Sequence, residues 1–291
     1  MGVPFSAVAN EAERARWNDG RWAAAWPRRE RLTEAVTPFL LDAAVARPGQ
    51  RVCDIGCGGG TLTGALARLV APGGEAVGLD LSAPLLELAR RRAEGVDGVC
   101  FVQMDVQSEV LAAEPFDLAV SQFGVMFFDQ PLAAFGAIGR LLHPGGRLVF
   151  ACWEGVEHNP WHIGTVLRPF VDAPPVPPPG KSPVGPFSLG DDEYVRELLE
   201  GAGFGAVAAE AHRVAVRARA DAVFDPTLLA MMGVAAEREP EALAAIERHL
   251  ERFAVGEGRY EYPLAFRIYQ AVHEIPQAVS GRPGDEKPAS R

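Results

Sequence analysis

The run V-C-D-I-G-C-G-G-G-T, residues 52–61, sets a carboxylate, Asp54, two residues ahead of glycines spaced G-x-G-x-G: Gly56, Gly58 and Gly60. Glycine there lets a backbone turn sharply and approach a ligand closely. The spacing is not the G-x-G-x-x-G of a dinucleotide site. Asp54 would repel a pyrophosphate, whereas an α-amino group or a sulfonium suits it; buried, it must be paired. Asp80, in G-L-D-L-S, comes 20 residues after Gly60 and can accept hydrogen bonds from both hydroxyls of a ribose. Asp105, in M-D-V-Q, can accept from an exocyclic amine while the Val106 N–H donates to a ring nitrogen, a pair that would read adenine. Ser121 and Gln122, in V-S-Q-F-G, form a fourth position. An Asp after a strand is also a common N-cap, and that alternative stays open for Asp105.

These positions need an open sheet with its ligands at the carboxyl edge. Short apolar runs at 51–55, 76–81, 99–104, 116–121 and 147–153 read as strands, and the segments between the first three, and before the last, carry helical periodicity. Ser82 is a good N-cap, with Leu85, Leu86, Leu88 and Ala89 facing inward and Gly95 just past the helix. Apolar strands alternating with helices indicate a parallel sheet covered on both faces. Residues 1–49 read as a helical cover, with Leu32, Val36, Phe39, Leu40 and Ala43 on one face of its last helix. Residues 50–155 read as the ligand-binding core. Residues 156–190 read as a lid, whose seven prolines between Pro174 and Pro186 exclude regular structure; the aromatic and aliphatic residues flanking them favour an ordered loop over the sheet, with a disordered linker as the alternative. In residues 191–276, a strand at 206–217, a largely helical run at 224–253 interrupted near Pro240, and a last strand at 259–272 are expected. The tail, 277–291, is expected to be disordered.

The chain of 291 residues carries 28 basic and 38 acidic side chains, a formal charge of −10, which disfavours a nucleic-acid partner. No apolar run approaches the roughly 18 residues of a membrane span. The first ten residues lack a basic segment followed by an apolar one, so a cytoplasmic location is expected. Cys53, Cys57, Cys100 and Cys152 lie in apolar stretches and read as small buried hydrophobes; no Cys/His spacing suggests a metal.

Residues 50–153 resemble the class I S-adenosylmethionine-dependent methyltransferases, nearest to small-molecule enzymes similar to the ubiquinone/menaquinone type. V-C-D-I-G-C-G-G-G, G-L-D-L-S and M-D-V-Q are similar to that family's first, ribose and adenine motifs, and F-D-L-A-V-S-Q-F-G-V-M-F-F and L-L-H-P-G-G-R-L-V-F-A-C-W to its later strands. The resemblance implies a Rossmann-like α/β fold with seven strands, mostly parallel with the last antiparallel, and S-adenosylmethionine as cofactor. It places Gly56 and Gly58 against the methionine and ribose, Asp80 on the ribose hydroxyls, Leu81 against adenine, Asp105 and Val106 at the adenine edge, and carbonyls near Ser121 and Gln122 by the methionine amino group. Asp54 and Gly60 complete this cofactor set.

Methyl transfer by in-line displacement needs orientation first, and a base only if the acceptor must lose a proton. His158 and His162, after the fifth strand, are the base candidates, with surface or capping roles as the alternative. Aromatic residues in the covering segments, Trp17, Trp22, Trp26, Phe123, Phe127, Trp153 and Trp161, together with Met126, predict a pocket for a small apolar or aromatic metabolite. A specialised-metabolite O-, N- or C-methyltransferase is the favoured expectation, a quinone-precursor C-methyltransferase the second. A nicotinamide-dependent oxidoreductase and a non-methylating cofactor-binding protein are the readings from other classes. A homodimer is compatible with any of them.

Overall fold

A computed structural model describes residues 10–171, 184–224, 226 and 229–274. The proline-rich stretch 172–183 and the tail lie outside them, so the expected ordered loop and disordered terminus fall largely beyond what is described. Helices α1 (Glu11–Trp17), α2 (Gly20–Thr33) and α3 (Thr37–Ala44) form the N-terminal cover. Leu32, Val36, Leu40 and Ala44 point inward. Phe39 departs from the expected face: it is 37% exposed and rests edge-on against the Phe266 ring.

The core alternates β1 (Arg51–Ile55), α4 (Thr61–Val70), β2 (Glu75–Asp80), α5 (Ala83–Arg92) and β3 (Val99–Gln103), followed by β4 (Phe116–Gln122), α6 (Pro131–Leu141) and β5 (Leu142–Trp153). Residues Val52–Ile55 of β1 are buried on both faces, as a central parallel strand requires. The Ser82 hydroxyl accepts from the Leu85 N–H at 3.3 Å and starts α5. After the short helix α7 (Gly164–Leu167), α8 (Asp192–Gly201) is capped by Asp191, which accepts from the Tyr194 N–H. The long strand β6 (Phe204–Arg219), α9 (Glu239–Glu251), β7 (Ala254–Gly256) and β8 (Arg259–His273) complete the described chain.

The strands lie in the order β3-β2-β1-β4-β5-β8-β6, with β7 beside β8, so the described sheet has eight strands rather than the expected seven. The first five are mutually parallel, and β8 runs antiparallel to β5 and β6. The addition, β7, is a three-residue exposed strand that pairs with the start of β8, too short to show a period. Pro240 begins α9 rather than interrupting a helix, because its missing N–H costs nothing in a first turn. The 3₁₀ turns Ala230–Met232 and Ala236–Arg238 precede it. Cys53, Cys57 and Cys152 are buried, but Cys100 is exposed because β3 is an edge strand.

Candidate active site

The connection from β1 to α4 is built by backbone that only glycine adopts freely. Gly56, Gly58 and Gly60 have φ of 69°, 51° and 79°. A Cβ on Gly56 would lie 2.9 Å from the Gly124 Cα, so two backbone turns meet there. The Gly56 and Cys57 N–H groups donate to the Leu79 carbonyl at 2.8 and 3.1 Å. Gly60 serves the packing of α4 against its neighbours: its Cβ position is 2.8 Å from Ala89 and 2.9 Å from Phe101. Gly56 and Gly58 line a cavity at the carboxyl edge of the sheet; Gly60 stands behind it.

Three aspartates border that cavity. Asp80, at the end of β2, accepts the Gly58 N–H on Oδ2 and the Ser82 N–H on Oδ1, both at 2.8 Å. Burial raises its pKa in spite of these donors. Asp54, 1% exposed, accepts the Thr63 hydroxyl at 2.7 Å. Burial pushes it up to about 7, against the Thr63 hydrogen bond and with the negative charge of Asp80 adding to the rise. Asp105, 2% exposed, accepts the Gln107 N–H on Oδ1 at 3.0 Å, the local turn role held open from sequence. Its Oδ2 faces the Asn10 amide nitrogen at 3.4 Å and Arg14 at 3.9 Å. Leu81 and Val106 line the same end of the cavity.

Ser121 and Gln122 act mainly as struts. The Ser121 hydroxyl, fully buried, donates to the Ile55 carbonyl at 2.7 Å and lies behind the lining. Gln122 lines the cavity, donates to the Thr33 carbonyl at 3.1 Å and accepts from the Thr37 hydroxyl at 2.9 Å, tying the cover to β4.

The same cavity continues into an aromatic half. Phe123 and Trp153 stack with centroids 4.0 Å apart and planes 14° from parallel, and Trp161 meets Trp153 edge-on at 5.3 Å. Met126, Trp17, Trp26 and Phe127 also line it. Trp22 does not: it is buried in a separate cluster with Ala25 and Trp17, under the Arg29 guanidinium at 5.0 Å. Its helical register turns it away, which aromatic composition alone does not reveal.

The two histidines part company. His158 lies outside the cavity, with a half-exposed ring 3.6 Å from Glu157. His162 lines the cavity, its pKa lowered to about 4 by burial, with Arg29 and His249 adding to the fall. Its Nδ1 accepts the Gly164 N–H at 3.2 Å, so the neutral ring carries its proton on Nε2. That tautomer donates; the general-base role expected from sequence has no lone pair left to perform it.

Asn159, fully buried, holds this wall. Its amide donates to the carbonyls of Ala265 (2.9 Å) and Glu154 (3.1 Å) and accepts from the Ala265 N–H and Trp161 Nε1–H at 2.9 and 3.2 Å. Asn10 and Arg29 line the cavity as well, and neither stands in a pattern that sequence periodicity would single out. No group of three or more His, Cys, Asp or Glu among the described residues could hold a metal, and no described helix is long and apolar enough to cross a membrane.

Residues 53–150 match the methyltransferase domain family. Over 151 residues the chain is 38% identical to a ubiquinone biosynthesis O-methyltransferase of Xanthomonas campestris pv. campestris, half of this chain and 56% of that protein. Over 114 residues it is 37% identical to a ubiquinone/menaquinone biosynthesis C-methyltransferase of Pseudomonas paraeruginosa, 38% of this chain and 44% of that one. The chain thus spans about half the length of these curated relatives. Among solved structures, a candidate methyltransferase from Bacillus halodurans superposes with a TM-score of 0.56 at 20% identity, over 83% of this chain and all of the other. A Haemonchus contortus phosphoethanolamine N-methyltransferase, solved with S-adenosylhomocysteine, gives 0.51 at 17% identity over 83% and 53%. The matched segment thus resembles a methyltransferase domain, and it lies on a Rossmann-like, mostly parallel sheet.

Proposed function

We propose that this chain transfers a methyl group from S-adenosylmethionine to a small apolar or aromatic metabolite. The observation that carries the reading is the continuity of one cavity from the Gly58–Asp80 floor to the Phe123–Trp153 stack. The residues present fit the cofactor. The glycine turn admits a close approach, Asp54 and Asp80 suit a cationic amino-acid end and a ribose, and Asp105 suits an exocyclic amine. Bound S-adenosylmethionine supplies a methyl group already activated on a sulfonium.

The chain's own residues then orient and shield. Phe123, Trp153 and Trp161 offer flat apolar surface to an acceptor and keep water away, and such orientation is worth up to roughly 7–11 kcal/mol. His162 Nε2–H donates to an acceptor oxygen and leaves deprotonation to the acceptor's own acidity. A phenolic or enolic oxygen, or a ring carbon activated by one, meets these conditions. A specialised-metabolite O-, N- or C-methyltransferase is the preferred form. The quinone-precursor form draws support from the names of the Xanthomonas and Pseudomonas relatives. The formal charge of −10 supports a small acceptor over a nucleic acid.

The test is incubation of the full chain with methyl-labelled S-adenosylmethionine and a panel of phenols, catechols and hydroquinones, read by mass spectrometry. A labelled product from one or more of these acceptors supports the proposal. Retained cofactor with no methylated product across the panel contradicts it.

A further inference from the structure

The cavity end that holds Asp105 carries a second acceptor. Asn10 is 5% exposed and lines the cavity, yet its Oδ1 has no hydrogen-bond partner among the described residues. An unsatisfied buried amide oxygen is costly, so a group that supplies a donor there is favoured.

The orientation of this amide follows from its neighbour. The Asp105 carboxylate accepts and cannot donate, so the Asn10 nitrogen must face it, as it does at 3.4 Å. The oxygen is thereby left as an acceptor without a donor among the described residues. The backbone is held in place too. Asn10 has φ 68°, a left-handed conformation that Asn tolerates better than most residues. Its N–H donates to Asp129 Oδ2 at 3.1 Å, and its carbonyl accepts the Arg14 N–H at 2.9 Å. Asn10 therefore sits at a pinned corner, with Met104, Val106 and Leu81 as apolar walls nearby in the same cavity.

We infer that Asn10 is a cofactor-specificity residue: with Asp105 it forms a two-oxygen clamp for the exocyclic amine of the adenine. The inference rests on the cofactor reading above. An amine has two hydrogens, and the corner offers one acceptor for each. A 6-oxo purine would instead set its carbonyl oxygen against two acceptors, so the clamp selects adenine over hypoxanthine through repulsion as well as attraction. The cover thus reads the cofactor directly as well as closing over it.

Calorimetric titration of the full chain with S-adenosylhomocysteine and with S-inosylhomocysteine tests this, comparing the native chain with Asn10→Gly. Glycine keeps the left-handed backbone and removes only the amide. The native chain is expected to prefer the adenine ligand, and Asn10→Gly to bind it about tenfold more weakly while the hypoxanthine ligand loses little, so the preference falls by about tenfold. A merely structural disturbance lowers both affinities together and leaves the ratio unchanged, and that result overturns the inference while the cofactor reading stands. Failure of the native chain to bind either ligand overturns both.

Discussion

The Gly58 N–H donates to Asp80 Oδ2 at 2.8 Å, joining the glycine turn after β1 to the acid at the end of β2. The carboxylate proposed for the ribose therefore also sets the glycine turn. Each carboxylate oxygen has a second lone pair, so accepting from Gly58 and Ser82 leaves capacity for two hydroxyls. Asp80→Ala removes the ribose acceptor and loosens the turn together. Its affinity for S-adenosylhomocysteine is expected to fall about 10–100-fold by calorimetry. Unchanged affinity would place the ribose elsewhere.

Asp54 makes cofactor binding depend on pH. Its carboxyl is pushed up to about 7 mainly by burial, and a cationic amino group beside it favours the ionised form. Binding therefore releases a proton below about pH 7. Affinity is expected to rise with pH, by up to about tenfold per unit, and to level off above about 7. Asp54→Asn should flatten this slope and weaken binding; a native profile flat from about pH 5 to 8 would contradict the assignment.

Asp54 and His162 pull the unliganded protein's stability in opposite directions. The raised pKa of Asp54 gives stability present below its ordinary 3.8 and lost as pH climbs through about 7. The lowered pKa of His162 gives stability present above its ordinary 6.5 and lost as pH falls towards about 4. With Asp54→Asn the histidine's contribution is no longer opposed by Asp54. Its melting temperature should then climb more steeply than the native one between about pH 4.5 and 6.5. An identical pH profile for the two proteins would refute the linkage.

His162 is expected to act as a neutral donor. His162→Phe should lower kcat for an oxygen acceptor by about 10-fold, in the range of one lost hydrogen bond, with cofactor affinity nearly unchanged. His158→Ala should leave kcat and cofactor affinity within about twofold, since the ring stands outside the cavity. A His158 variant more damaged than the His162 variant would reverse the assignment.

Asn159→Ala strands buried groups on Ala265, Glu154 and Trp161. A loss of about 2–4 kcal/mol in denaturant unfolding is expected, together with weaker acceptor binding as Trp161 is freed. A loss below about 0.5 kcal/mol would show that the wall does not depend on this amide.

Local chemistry makes much of the proposed cofactor half legible in the sequence. Glycines with positive φ, and acids at the ends of β2 and just beyond β3, are dictated by what a turn or a strand end must do, so Gly56, Gly58, Asp80 and Asp105 stand out in one dimension. The acceptor half depends on direction. Trp17 and Trp22 are five residues apart on the cover, yet one lines the cavity and the other is buried outside it. His158 and His162 share a spacing but not a surrounding, because the turn after β5 is not a regular helix. Asn10 carries no periodic signal at all; its place is set by the packing of the cover on the sheet edge. The aromatic content of the covering segments was readable, but which rings face inward was not.

The central claim is that the floor formed by Gly58, Asp80 and Asp105 holds an adenosine-bearing cofactor. Equilibrium titration of the full chain with S-adenosylhomocysteine and, separately, with NAD tests it most directly. Binding of S-adenosylhomocysteine in the micromolar range, weakened at least about tenfold by Asp80→Ala, with no measurable NAD binding, is the predicted result. Micromolar affinity for NAD with none for S-adenosylhomocysteine would contradict the account.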